Sequence, residues 1–565
     1  MSIQNIIILI ALGVSIVGSV VVAVLLSKNG KSWLKGVLVA CLCATVGSVT
    51  YLSVAAATET LMPPKLKTAF DPNMNGYYEN IKADNGDVYT GNFAAGYYDG
   101  KGKIIYKDGS SYDGEWKAGK RNGVGTYIST YGWSYTGEFA DDLKNGQGVC
   151  TFPDKSVYDG AWQNDVPDGK GKYTAADGSV IEGDWKNGER NGNAVKTFPD
   201  GSVYNGEWSG NMPNGQGTYT SIEGWTYTGE FKDNLKNGKG KITYKDGSSY
   251  DGEWQSDLKS GNGTQVYKDK STYTGTWSNN KENGEGTLKS ADGWTYTGSF
   301  ANGVRQGNGT LNYADGSVYT GVFKNNLNDG TGTLKNKNGW TYSGEWSQGQ
   351  RNGQGTYTYA NGSVYMGSWM SNKENGKGKY TDVSRWSYDG EWKDGLKQGQ
   401  GTLTLADGSM YIGSFVSDIQ NGNGKMTSAE GWTYDGEWLD GLRNGNGKYT
   451  YADGSTYEGA WKNNKENGYG THKDVSGWTY TGEWKDGLRH GKGKITYKDT
   501  SYYDGDWANN LKQGKGTHTY FDEQGKFFGT YVGNFSANKR NGQGTFTYEN
   551  GYVQSGEWRN DSFME

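Results

Sequence analysis

At 565 residues and a net charge of −5, the chain is long enough for several domains, yet its composition is not that of ordinary globular ones. Gly counts 93, Tyr 43 and Trp 22 against 7 Pro, and hydrophobic residues reach only 33%, so turns and aromatic rings must replace a thick aliphatic core. Charges of both signs are interspersed, which excludes nucleic acid as the main partner, and the three cysteines (Cys41, Cys43, Cys150) build neither a disulfide framework nor a zinc site.

The first 57 residues predict a transmembrane helical hairpin. Ile6 to Leu26 is an unbroken run of apolar and small residues, and Gly36 to Ala57 is a second; each is long enough to cross a hydrocarbon layer of about 30 Å. Small residues four apart (Ala11, Ser15, Ser19, Ala23; Gly36, Ala40, Ala44, Ser48) give each helix a face on which backbones can approach. Lys28, Lys31 and Lys35 lie in the connecting turn and none lies in the N-terminal tail, so the turn leans to the cytoplasm and the rest of the chain to the outside. Lys65 and Lys67 keep that bias small, and a signal sequence cleaved near Ala55–Ala57 is the rival reading. Residues 58–83, with Pro63-Pro64 and Asp71-Pro72, read as a juxtamembrane linker.

From about residue 84 to 565 the chain repeats itself. The glycine of a Tyr-x-Gly-x-aromatic motif recurs every 23 residues from Gly91 to Gly505, then at Gly533 and Gly556, which makes 21 units with a five-residue insertion within Tyr520–Phe528. In one unit, Tyr112, Gly114 and Trp116 alternate, so they share one strand face, and Asp113 and Glu115 take the other. Asn122-Gly123 is a hairpin-turn signal. A second strand with Gly125 and Tyr127 follows it, and an Asp-Gly-Ser turn leads to the next unit. The fold expected is all-β: a single elongated antiparallel β-meander of 23-residue hairpins, about 200 Å long at two strands per unit, after two transmembrane α-helices. Rings lying over glycines of the adjacent strand should hold neighbouring units together. Ile181 replaces the tyrosine of one unit and Ala194 the last glycine of its Asn-Gly-x-Gly, so that hairpin should be weaker. Trp340, Trp386, Trp432 and Trp478, each 46 residues apart, form a second aromatic row and are candidate exposed contacts.

This grammar resembles the MORN (membrane occupation and recognition nexus) family. Its pattern fits Tyr112–Gly125 throughout, including Tyr112, Gly114, Trp116, Gly123 and Gly125, and equally Tyr342–Gly355, with Tyr342, Gly344, Trp346, Gly353 and Gly355. The resemblance implies an elongated β-meander used for scaffolding, dimerisation and membrane contact. Family members also occur as appendages of lipid kinases, but no kinase domain is visible in this chain.

No catalytic, cofactor-binding or metal-ligating constellation stands out. Gly238-Lys239-Gly240-Lys241-Ile242-Thr243 lacks the four-residue gap of a phosphate loop, and His472, His490 and His518 lie in different repeats without partner ligands. The leading expectation is a non-enzymatic, membrane-anchored scaffold that binds protein partners or itself, without a cofactor and with lipid contact through the helices. Alternatives are glycan or cell-wall binding by aromatic rings and lipid-surface contact by the array.

Overall fold

The computed structural model describes residues 70–522 and 524–565, and the two apolar segments read as transmembrane helices lie outside them. The described chain contains 43 β-strands and no helix. It divides into two compact units, one reaching Lys281 and one running from Glu282 to Glu565.

Away from the two ends of the array a seven-residue strand alternates with a nine-residue strand, as in Ser111–Lys117 and Lys120–Ile128. Each pairs antiparallel with the next in chain order: Tyr112 faces Tyr127 and Gly114 faces Gly125 on one side, and Gly102 faces Gly114 on the other. The second unit repeats this register, with Tyr342 opposite Tyr357 and Gly344 opposite Gly355.

The hairpin turn is not where the Asn-Gly signal placed it. It falls at Ala118-Gly119, whose φ values of 47° and 81° give two successive left-handed residues, the geometry that matches strand twist in a two-residue hairpin. Asn122-Gly123 lies inside the long strand, at a bulge where the register shifts between Gly114 and Trp116. Gly123 has φ +85° there, and Gly353 has φ +88° at the same place in the second unit. A bulge and a turn both call for positive φ, so the dipeptide alone could not distinguish them. The linker boundary also moves: Gly76–Lys82 is a strand paired with Val88–Ala94, so the sheet begins ahead of residue 84.

The expected seat of rings on glycines is present, and it involves two glycines. The Tyr112 ring lies across Gly114 of its own strand and Gly125 of the next. A Cβ on Gly125 would sit 2.3 Å from the Tyr112 hydroxyl oxygen and 2.4 Å from Cζ, and one on Gly114 would sit 2.4 Å from the Cα of Gly125. Gly355 and Gly344 hold Tyr342 in the same way. The tyrosine hydroxyl then donates to the carbonyl three residues on, Glu115 for Tyr112 at 3.0 Å and Glu345 for Tyr342 at 2.8 Å. A fully buried ring therefore keeps its polar end satisfied.

The seat also explains the exceptional unit. Ala194 faces Gly183 in the ordinary register, and its methyl group occupies the space a tyrosine ring takes elsewhere; Ile181, shorter and buried, stands in the tyrosine slot. The two departures compensate each other. We therefore expect Gly125→Ala to destabilise its unit by about 1–3 kcal/mol through overpacking, and Tyr112→Ile to remove much of that penalty. Additive losses in a double-mutant cycle read by chemical denaturation would contradict this coupling.

Candidate interaction surface

The tyrosines and the Trp/Phe slot form one continuous face in each unit. Tyr112 meets Trp116 edge-on at 5.0 Å and Phe139 of the following repeat at 5.1 Å. Tyr342 meets Trp346 at 5.1 Å and Trp369 at 5.3 Å. Such pairs contribute about 0.5–1.5 kcal/mol each beyond area burial. The Trp116 indole N–H also reaches back to the carbonyl of Gly102 at 3.0 Å, and Trp346 to Gly332 at 3.2 Å. A phenylalanine in that slot keeps the ring contact and lacks this bond.

Three features of this architecture were not anticipated from the sequence. The first is a file of cations on the aromatic face, one residue into the long strand. Arg121 is 5% exposed and lies 5.3 Å from the Phe139 ring centroid. Lys144 is 3% exposed and 4.3 Å from Trp162. Burial lowers the Lys144 ammonium below its ordinary value, and the ring faces supply part of the lost solvation. The second is a hook between repeats. The turn residue Asp142 (φ 74°) accepts the backbone N–H of Arg121 at 3.0 Å, and its carbonyl accepts the guanidinium at 2.8 Å. Asn372 does the same for Arg351 at 2.9 and 2.7 Å. The third is the role of the motif glutamate. Glu345 accepts the N–H of Gln354 at 3.1 Å, and Glu437 that of Asn446 at 3.0 Å, so the carboxylate holds the bulge amide. The signals were the recurring Arg/Lys before Asn-Gly and the Asn or Asp 21 residues later.

The candidate exposed tryptophans are half-buried, each with a neighbouring ring packed against it. Trp340 stacks on Tyr357 at 5.2 Å and Trp432 on Tyr449 at 5.4 Å. Trp478 stacks on His472 at 4.8 Å, and Trp386 lies tilted against Tyr380 at 4.8 Å. Lys397 sits 5.5 Å from Trp386 and Arg489 5.7 Å from Trp478. His472 and His518 pack among rings, His518 3.9 Å from Tyr520, and burial lowers His518 to about 3. Cys150 is buried and its thiol is pushed up to about 11. Among the described residues no three His, Cys, Asp or Glu side chains cluster as metal ligands.

A family model for the MORN repeat matches twenty segments of this chain, from residues 89–111 to 531–551. The chain belongs to the MORN repeat family. The last unit counted from the sequence, around Gly556, is outside these segments and contributes the strands Val553–Arg559 and Ser562–Phe563. No curated protein matches the chain. Among solved structures, the Drosophila melanogaster SAS-4 TCP domain, in complex with a proline-rich motif of Ana2, is 14% identical. It covers 31% of this chain and 90% of that one at a TM-score of 0.19. The TCP10 domain of Danio rerio CPAP is 10% identical, with 39% and 93% covered and a TM-score of 0.18. At these TM-scores neither supports a structural argument.

Burial holds the ladder tyrosines above the ordinary phenol value of 10, with Tyr342 raised to about 12 and Tyr112 higher still. A folded value above the unfolded one means that this stability is fully present below pH 10 and is lost as pH rises through the folded value. We expect phenolate absorbance from the ladder to stay low past pH 10 and then to rise together with loss of the β-sheet circular dichroism signal. Ionisation of these rings near pH 10 with the sheet intact would contradict the packing.

Proposed function

We propose that this MORN array is a non-enzymatic interaction scaffold, anchored to a membrane by the N-terminal apolar pair, that binds protein partners or a second copy of itself. The observation that carries the reading is the 46-residue recurrence of a half-buried tryptophan with a cation in the same repeat. Trp340 has Arg351, Trp386 has Lys397, Trp432 has Arg443 and Trp478 has Arg489. The cations lie among rings of their own and the next repeat, as Arg443 does 4.8 Å from Tyr449 and 4.6 Å from Trp461. A surface repeated in this way suits an extended or multivalent partner.

The anchoring rests on the sequence of residues 6–57; among the described residues no helix is long and apolar enough to cross a membrane. We read the array as extracytoplasmic from the lysine bias of the connecting turn. Glycan binding is the second reading, favoured by the partly exposed indole rings of the same row.

The test is affinity capture with the full-length chain, light scattering for self-association and retention on insoluble cell wall. We expect a saturable protein partner or a dimer, lost when Trp386 and Trp432 are both changed to Ala while thermal unfolding of the rest is retained. A chain that stays monomeric at high concentration and captures no protein would remove the scaffold reading. Retention on cell wall alone would replace it with glycan binding.

A further inference from the structure

The face opposite the rings carries a second periodic feature, at the edge made by the hairpin turns. The last residue of each short strand pairs there with the first residue of the following long strand, as Val416 does with Ile419 and Leu439 with Leu442. From the Met370/Lys373 pair to the Lys485/Leu488 pair, every position in this file is either an aliphatic side chain or a lysine. The aliphatic ones are exposed although large: Val416 47%, Ile419 44%, Leu439 48% and Leu442 36%. Adjacent hairpins touch along the edge, because the N–H of Gly441 donates to the Gln420 carbonyl at 3.0 Å. The apolar centre is therefore contiguous, with exposed Lys393 on one side and exposed Lys462 and Lys465 on the other. None of these three lysines is in an ion pair among the described residues.

We propose that this file is a docking site for an amphipathic α-helix of a partner protein, with acidic residues flanking its apolar stripe. The inference rests on the scaffold reading and names a surface and partner class for it. Three observations select the occupant. One hairpin advances the file by two strands, about 9.6 Å, and seven residues of helix advance about 10.5 Å. A helix laid across the strands thus meets an aliphatic pair once per two turns. Lysines at both ends of the centre complement acidic residues and disfavour a second copy of the same file. The turns at this edge carry exposed Asp394, Asp440 and Asp486, which a broad anionic membrane would have to touch and a narrow helix leaves in water. The motif glutamates on this face, such as Glu437 and Glu483, are held on bulge amides two residues inward, and the turn edge carries the aspartates, so the acidic residues of the helix should lie over the lysines at the two ends of the centre.

The experiment uses the full-length chain and a fluorescent peptide of about 18 residues, roughly five helical turns, with a leucine stripe flanked by glutamates. A matched peptide has lysines in place of the glutamates, and vesicles of equimolar phosphatidylserine and phosphatidylcholine serve as the lipid arm. We expect the glutamate peptide to bind and to weaken with salt. Val416→Ser with Leu439→Ser should weaken it by at least about tenfold, a loss of about 1.4 kcal/mol in binding, with thermal unfolding unchanged. Lys393→Glu with Lys462→Glu should move the preference to the lysine peptide. Equal binding of both peptides, binding unaffected by the serine pair, or vesicle binding through the same residues without peptide binding would overturn the proposal. Such a failure leaves the scaffold reading standing if the chain still captures a partner through Trp386 and Trp432.

Discussion

The structure depends on a tyrosine ring seated across two facing glycines. A single-layer sheet has no second layer to bury its side chains against, so burial must come from neighbours on the same face. A ring can lie flat on the backbone only where no Cβ lifts it, and the Gly114–Gly125 pair provides that floor. Once flat, Tyr112 reaches the rings on both sides and returns its hydroxyl to the Glu115 carbonyl. Glycine, costly in most strands, is here the residue that makes burial possible.

The remaining parts of a repeat follow from that seat. Rings on one face and a two-residue turn at the edge leave an excess of residues in the long strand, which the bulge at Gly123 absorbs. The bulge frees a backbone amide, and the motif glutamate holds the corresponding one in repeat after repeat, as Glu230 does for Lys239. The turn residue of the next repeat then accepts an N–H from the present one, as Asp165 does from Lys144. Each repeat completes the hydrogen bonding of its predecessor, which is why stability in such an array is a nearest-neighbour property.

Apart from the motif glutamates, the opposite face is free of these demands, so its other residues vary by repeat. Thr126 and Thr136 bridge across two strands at 3.1 Å in one place, Lys448 pairs with Glu458 in another, and exposed aliphatic side chains gather near Val416 in a third. The invariant face builds the sheet and the variable face is where individual repeats can differ in what they meet.

Much of this architecture is legible in the amino-acid sequence. The 23-residue phase, the Tyr-x-Gly-x-aromatic alternation and the absence of a helical period determined an antiparallel meander and the residues that share its ring face, because a strand has a period of two. The same reading misplaced the hairpin turn, since Asn-Gly reports positive φ and not the pairing around it. Trp386 and its equivalents read as exposed, since a repeat seen alone does not reveal the ring that an adjoining strand lays against it. The reading missed the cation file and the Asp142 hook, because both join residues about one repeat apart. What the sequence determined by itself is what covalent periodicity dictates: strand, face and register class. What only the tertiary structure decided is which neighbour covers each side chain, because burial in a single-layer sheet comes from the adjoining repeat.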